Sequence, residues 1–100
     1  EVLVYPLPYD LTFLRTLEAA DEHPDWEPNW TDKEKGIIHL QNTRYSSFAD
    51  ADKRSMALLV RRENLEESSV RLAPESQTVL GGGDVLKLIK AALSEEASLR

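Results

Sequence analysis

The chain contains no cysteine. That absence removes disulfide bonds, thiolate catalysis and cysteine-held zinc from consideration, and it favours a reducing intracellular compartment, cytoplasmic or other. Histidine is nearly as scarce. His23 and His39 are the only two, and they stand in neither H-x-x-x-H nor H-E-x-x-H spacing, so no histidine metal motif is present. Long apolar runs are missing as well. The longest, 56–60 (MALLV), is far too short to cross a bilayer, and no signal-peptide pattern opens the chain, so no membrane partner is expected. There is no G-x-S-x-G, and the serine pairs Ser46-Ser47 and Ser68-Ser69 have no neighbouring base in sequence. A catalytic set is therefore not visible, and neither is a fingerprint for a cofactor or a resident metal.

What is present is an ordinary globular composition. Hydrophobic residues make up 41% of the 100 residues and charged residues 30%, which suits one domain spanning 1–100 with its own core. The first residue is Glu1 rather than methionine, as in a trimmed domain or a processed chain. The net charge of −6 is unevenly spread. Residues 1–32 hold eight acidic side chains and one basic one (Arg15), whereas residues 33–71 hold eight basic and six acidic. An acidic protein of this kind repels bare nucleic acid and anionic lipid on average, and its acidic first third suits either solubility or a basic partner.

Along the chain, residues 1–5 (EVLVY) read as a strand closed by Pro6 and Pro8. Asp10 then stands as an N-cap for a helix over 10–22, with Phe13, Leu14, Leu17 and Ala20 on its apolar face; the residue before Pro24 ends it. Residues 24–35, with two prolines, Asn29 and alternating charge, read as a loop. A strand over 36–42 follows, then a polar connection from Thr43 to Lys53. The block 56–61 is ambiguous, because an apolar run flanked by charge suits a buried strand or a short helix. A strand there, with ENLEES turning into another over 69–73, gives the order β-α-β-β-β-α. The helical alternative gives β-α-β-α-β-α. Gly81, Gly82 and Gly83 break the chain, and Asp84 caps a last helix over 84–97, whose stripe is Val85, Leu88, Ile89, Ala92 and Leu93, with Lys87 and Lys90 outside. The expected fold is α+β: a two-layer sandwich in which strands 2–5, 36–42, 56–61 and 69–73 form a small, mostly antiparallel sheet with both helices on one face.

Three features compete for a function. Both tryptophans, Trp26 and Trp30, fall in the loop 24–32 among Asp25, Glu27 and Asp32. Indoles in an acidic loop either close the core or anchor a partner with basic and apolar patches. The glycines Gly81, Gly82 and Gly83 ahead of a helix admit a nucleotide or phosphate reading, since helix N-termini and glycine backbones bind anions. Their spacing matches no phosphate-loop motif, however, and Asp84 would sit where the phosphate should go. The basic middle third, with Lys33, Lys35, Arg44, Lys53, Arg54, Arg61, Arg62 and Arg71 interleaved with Tyr45 and Phe48, allows RNA binding if His39, Arg61 and Arg71 share an outer sheet face. His23 beside Asp21, Glu22 and Asp25 reads as a solvated helix end, and Asp50 and Asp52 lack calcium-loop spacing. The leading expectation is a non-catalytic protein-interaction or regulatory module contacting its partner through Trp26, Trp30, Asp25 and Glu27. Nucleic acid is the less favoured partner, and self-association is left open.

Overall fold

In the computed structural model, which describes residues 1–44 and 55–99, the elements follow from where apolar side chains alternate and where they recur in helical phase. Strand β1 (Val2–Tyr5) leads into helix α1 (Tyr9–Asp21). Strands β2 (Trp26–Asp32), β3 (Ile37–Asn42), β4 (Ser55–Arg62) and β5 (Ser68–Leu72) come next. A short 3₁₀ turn (Pro74–Ser76) and helix α2 (Gly82–Ser98) complete the chain. The five strands of the described residues form one antiparallel sheet in the order β1-β5-β4-β3-β2. The α+β sandwich expected from the sequence is the fold observed, with one strand more than expected.

The ambiguous block resolves as a strand because its burial has a period of two. Met56, Leu58 and Val60 are buried, while Ser55, Ala57 and Leu59 between them are half-buried. Leu58 lies opposite Ile38 and Leu72, and Val60 opposite Val70, so each inward side chain meets a partner on the neighbouring strand. With Leu3, Leu40, Val85, Ile89 and Leu93 they make the core. Both helices pack on this face: α1 touches β2, β4, β5 and α2, and α2 touches β1. Tyr5 fastens α2 to β1, sharing a hydrogen bond with Ser94 Oγ at 2.8 Å and donating to the Lys90 carbonyl at 3.3 Å.

Several local expectations are corrected. Residues 26–32 are not loop but the edge strand β2, paired with β3. An edge position accommodates Pro28, which has no N–H to donate to a ladder. Asp10 does not cap α1. Pro8 occupies the cap position, the first carbonyl bond being the one from Thr12 N–H to Pro8 O at 3.0 Å, and Asp10 sits in the first turn. Asp84 likewise lies inside the first turn of α2 behind an N-cap Gly81; in both helices the carboxylate complements the macrodipole rather than bonding an end amide. The buried face of α1 is Thr12, Phe13, Thr16, Ala19 and Ala20, so Leu14 turns out to solvent. In α2, Leu86 is buried, whereas Leu88 and Ala92 are only half-buried. The polar connection beyond Arg44, with Tyr45, Ser46, Ser47, Phe48, Asp50, Asp52, Lys53 and Arg54, lies outside the described residues.

Candidate functional site

Strand β2 carries a bulge, and the bulge decides which tryptophan meets water. Trp26 pairs with Asn42 and Pro28 with Leu40, but Trp30 pairs with His39, the register slipping by one residue between Pro28 and Trp30. In an uninterrupted strand residues 26, 28 and 30 would all point inward. The extra residue, Asn29, reverses the phase. Trp26 is therefore core, 2% exposed, while Trp30 is 53% exposed on the opposite face. Trp26 is thus removed from the expected contact surface, and Trp30 alone of the two indoles remains available to a partner.

The outer sheet face around Trp30 follows from the register. The row Asp32, Ile37, Leu59, Arg71, Val2 runs from edge to edge, and Trp30, His39 and Ala57 form the row beside it. Val2 and Val4 are exposed, and Ile37 and Leu59 are half-buried. Polar bonds stiffen the β2 end of this face. Asn29 Oδ1 lies 2.7 Å from His39 Nδ1, Asn29 Nδ2 donates to Gln41 Oε1 at 3.3 Å, and Gln41 Nε2 donates to Glu27 Oε1 at 2.8 Å. Because Asn29 Oδ1 can only accept, His39 Nδ1 is the donor in that bond. Glu27 is thus part of the ordered rim beside Trp30. Asp25 lies outside the strand, ion-paired to Arg44, and its N–H is bonded to His23 Nδ1 at 3.0 Å.

The outward residues His39, Arg61 and Arg71 do share this face, the arrangement an RNA surface would need. Arg71 is not free, however. Glu63 Oε1 accepts from Ser69 Oγ at 2.6 Å and from Arg71 Nη2 at 3.3 Å, and Glu27 and Asp32 bring negative charge to the same face.

The glycines at the start of α2, Gly81 as its N-cap and Gly82 and Gly83 in its first turn, have structural work that needs no ligand. Gly81 has φ +95°, in the left-handed region, and a Cβ there would lie 2.9 Å from Trp26 Nε1; at Gly82 it would lie 2.8 Å from Leu72 Cδ1. The turn is small because the Trp26 indole and Leu72 press against it. Only at Gly83 does a Cβ meet nothing within 4 Å. His39 also borders a concavity of about 560 Å³ with Ser55, Met56, Ala57, Glu75, Ser76, Thr78 and Val79. Within it Ser76 Oγ is occupied, accepting from Ala57 N–H at 2.9 Å. Among the described residues no three His, Asp or Glu side chains gather as a metal site would require.

A second cleft, of about 640 Å³, opens at one end of the sheet between the start of α1, the β2–β3 turn and the end of β4. Tyr9 stands in it, its O–H donating to the Lys33 carbonyl at 2.6 Å and its ring under the Arg62 guanidinium at 5.2 Å. Burial raises the Tyr9 phenol above its ordinary pKa, with Arg62 opposing and Asp10 and Asp32 reinforcing the rise. In the sequence these cations belong to one diffuse basic third, and the cleft is not legible there because α1 and β4 are far apart in the chain. The chain matches none of the known protein-family models and none of the curated proteins with which it was compared.

Proposed function

We propose that this domain is a non-catalytic protein-interaction module whose contact surface is the uncovered face of the sheet, with Trp30 as its anchor. The observation that carries this reading is the indole itself: 53% exposed, on a bulged strand, on the face opposite both helices. Tryptophan side chains bury roughly 150–250 Å², so covering the exposed half of one contributes about 2 kcal/mol at the usual area coefficient. That is the scale of an interface hot spot. Val2, Val4, Ile37 and Leu59 extend the apolar area across the sheet, and Glu27 and Asp32 rim Trp30 with negative charge. The partner surface that suits this face is apolar at its centre and basic at its edge.

The test compares tryptophan with other exposed apolar side chains. A protein selected for binding to the domain should lose at least about tenfold in affinity on Trp30→Ala, which corresponds to about 1.4 kcal/mol. It should be indifferent to Leu65→Ala and Leu80→Ala, both exposed and both off the sheet strands. Binding that ignores Trp30 and Ile37 but responds to Leu65 or Leu80 overturns the assignment. Sedimentation of the isolated domain covers the self-association arm, where a Trp30-dependent dimer would make a second copy the occupant.

A further inference from the structure

We propose that the occupant of the uncovered sheet face is a second copy of this chain, packed face to face about a two-fold axis parallel to the strands, with Trp30 of each copy entering the other's concavity beside Ala57. This rests on the reading of that face as the contact surface and names the partner it takes.

The face carries its own complement. Asp32, Ile37, Leu59 and Arg71 follow one another on β2, β3, β4 and β5 in a single outward row. One end of that row is acidic and the other basic, with two aliphatic side chains between them. Glu27 adds to the acidic end. In the turn beyond, Lys33 is paired with Asp10, and Glu34 offsets Lys35. At the other end Arg61 stands one row from Arg71 on the same face, and Glu63, bonded to Arg71, offsets only one of these two cations. Turning the row over about an axis between β3 and β4 sets Asp32 against the second copy's Arg71 and Ile37 against its Leu59, and symmetry repeats both contacts on the far side. The face calls for a partner that is apolar at its centre and basic at one edge, and the same face meets that description. The other two-fold, perpendicular to the strands, would lay β2 on β2 and β5 on β5, acid on acid and cation on cation.

The row beside it supplies a knob and a hollow. It runs Trp30, His39, Ala57. Strand β5 ends at Leu72, and beyond it lies the concavity of about 560 Å³ bounded by His39, Ala57, Glu75 and Val79. The operation that sets Asp32 against Arg71 brings β2 over the place of β5, and so carries the Trp30 indole over that hollow. Aligned sheets pack about 10 Å apart, within reach of a tryptophan side chain. The hollow is of a size that takes a small molecule, ample for an indole. Pairing through the free edge of β2 is opposed by Pro28 and the bulge, which leaves the face. Four short strands make a small contact, so the dimer is micromolar or weaker rather than obligate.

The experiment is sedimentation of the whole chain from about 10 µM to about 1 mM at about 0.15 M salt, where distant charge is screened. Dimerisation is expected with a dissociation constant below about 1 mM. Trp30→Ala and Ala57→Leu should each weaken it at least about tenfold. The second change adds apolar surface while filling the hollow, so general stickiness would move it the opposite way. Asp32→Arg and Arg71→Asp should each weaken the dimer about fivefold, and the two together should restore it to within about twofold. Within one chain these residues lie three strand spacings apart, about 14 Å, so the rescue arises only between copies, and it shows that neither single change has unfolded the chain. A chain that stays monomeric at about 1 mM, a dimer that ignores Trp30→Ala, or a double swap no better than its single parents overturns the proposal. If the chain is monomeric while a selected binding protein still needs Trp30, a foreign partner takes the face and the docking surface stands. If neither depends on Trp30, both readings fall.

Discussion

Trp26 and Trp30 stand four residues apart on one strand, yet one is packed against Gly81 and the other faces solvent. Their chemistry is identical, so their energetics isolate burial. Trp26→Ala should cost about 3–5 kcal/mol, as truncation of a buried aromatic does. Trp30→Ala should change stability by less than about 0.5 kcal/mol, as for an ordinary surface position. Urea unfolding of the two variants measures both, and equal losses would place Trp30 in the core and end its candidacy as an anchor. Tyr9 supplies a second single-residue test. Its phenol is raised by burial above the ordinary 10.0, so the folded state keeps the proton to higher pH than the unfolded chain. The stability this contributes is fully present below that ordinary value and is lost as pH rises through the raised native value. Tyr9→Phe should therefore flatten the alkaline fall in unfolding free energy, followed by denaturation at pH values above and below 10.0. An unaltered slope would mean that another group sets it.

At the scale of the element, β2 shows where sequence legibility stops. Strand β1, with its β-branched run closed by prolines, was readable at its observed bounds, and the other three strands the sequence disclosed agree to within a residue or so. Those signals are local: alternation in β3 and β5, and a compact apolar block in β4. Strand β2 has no such signal, since Pro28 and Asn29 sit inside it and Glu27, Thr31 and Asp32 break any regular apolar alternation. It is a strand because β3 offers it a partner, a fact about pairing rather than propensity. The bulge hides the same way: nothing in the string WEPNWTD says that Asn29 is the unpaired residue. Deleting Asn29 should force Trp30 inward or displace Trp26. In a Trp26→Phe background, the remaining indole's emission should move to the blue or cooperative unfolding should be lost. Wild-type stability together with unchanged red emission would contradict the phase argument. The helix faces were partly legible for a related reason. Leu14 looked like core by spacing, but the sheet accepts Thr12 and Thr16 instead, and which neighbours a helix receives is not written in its own period.

Over the whole molecule, the uncovered sheet face and the cleft at one end of the sheet share a strand but not a surface. Neither was legible as a unit. The residues 9–10, 33–35 and 60–63 that line the cleft meet only because the strand order places β4 beside β3 and beneath α1. The same order carries a consequence for how the chain reaches this state. Strands β2 to β5 form a meander in which every strand pairs with its neighbour in sequence, whereas β1 must close on β5 through pairs such as Val2 with Arg71, more than sixty residues apart. Closing a long loop costs entropy before any contact compensates it, so the meander is the natural nucleus and β1 a late arrival. Contacts made after the barrier control how fast the native state comes apart rather than how fast it forms. The short first strand, with Leu3 at its centre, thus acts as the latch on the domain's lifetime.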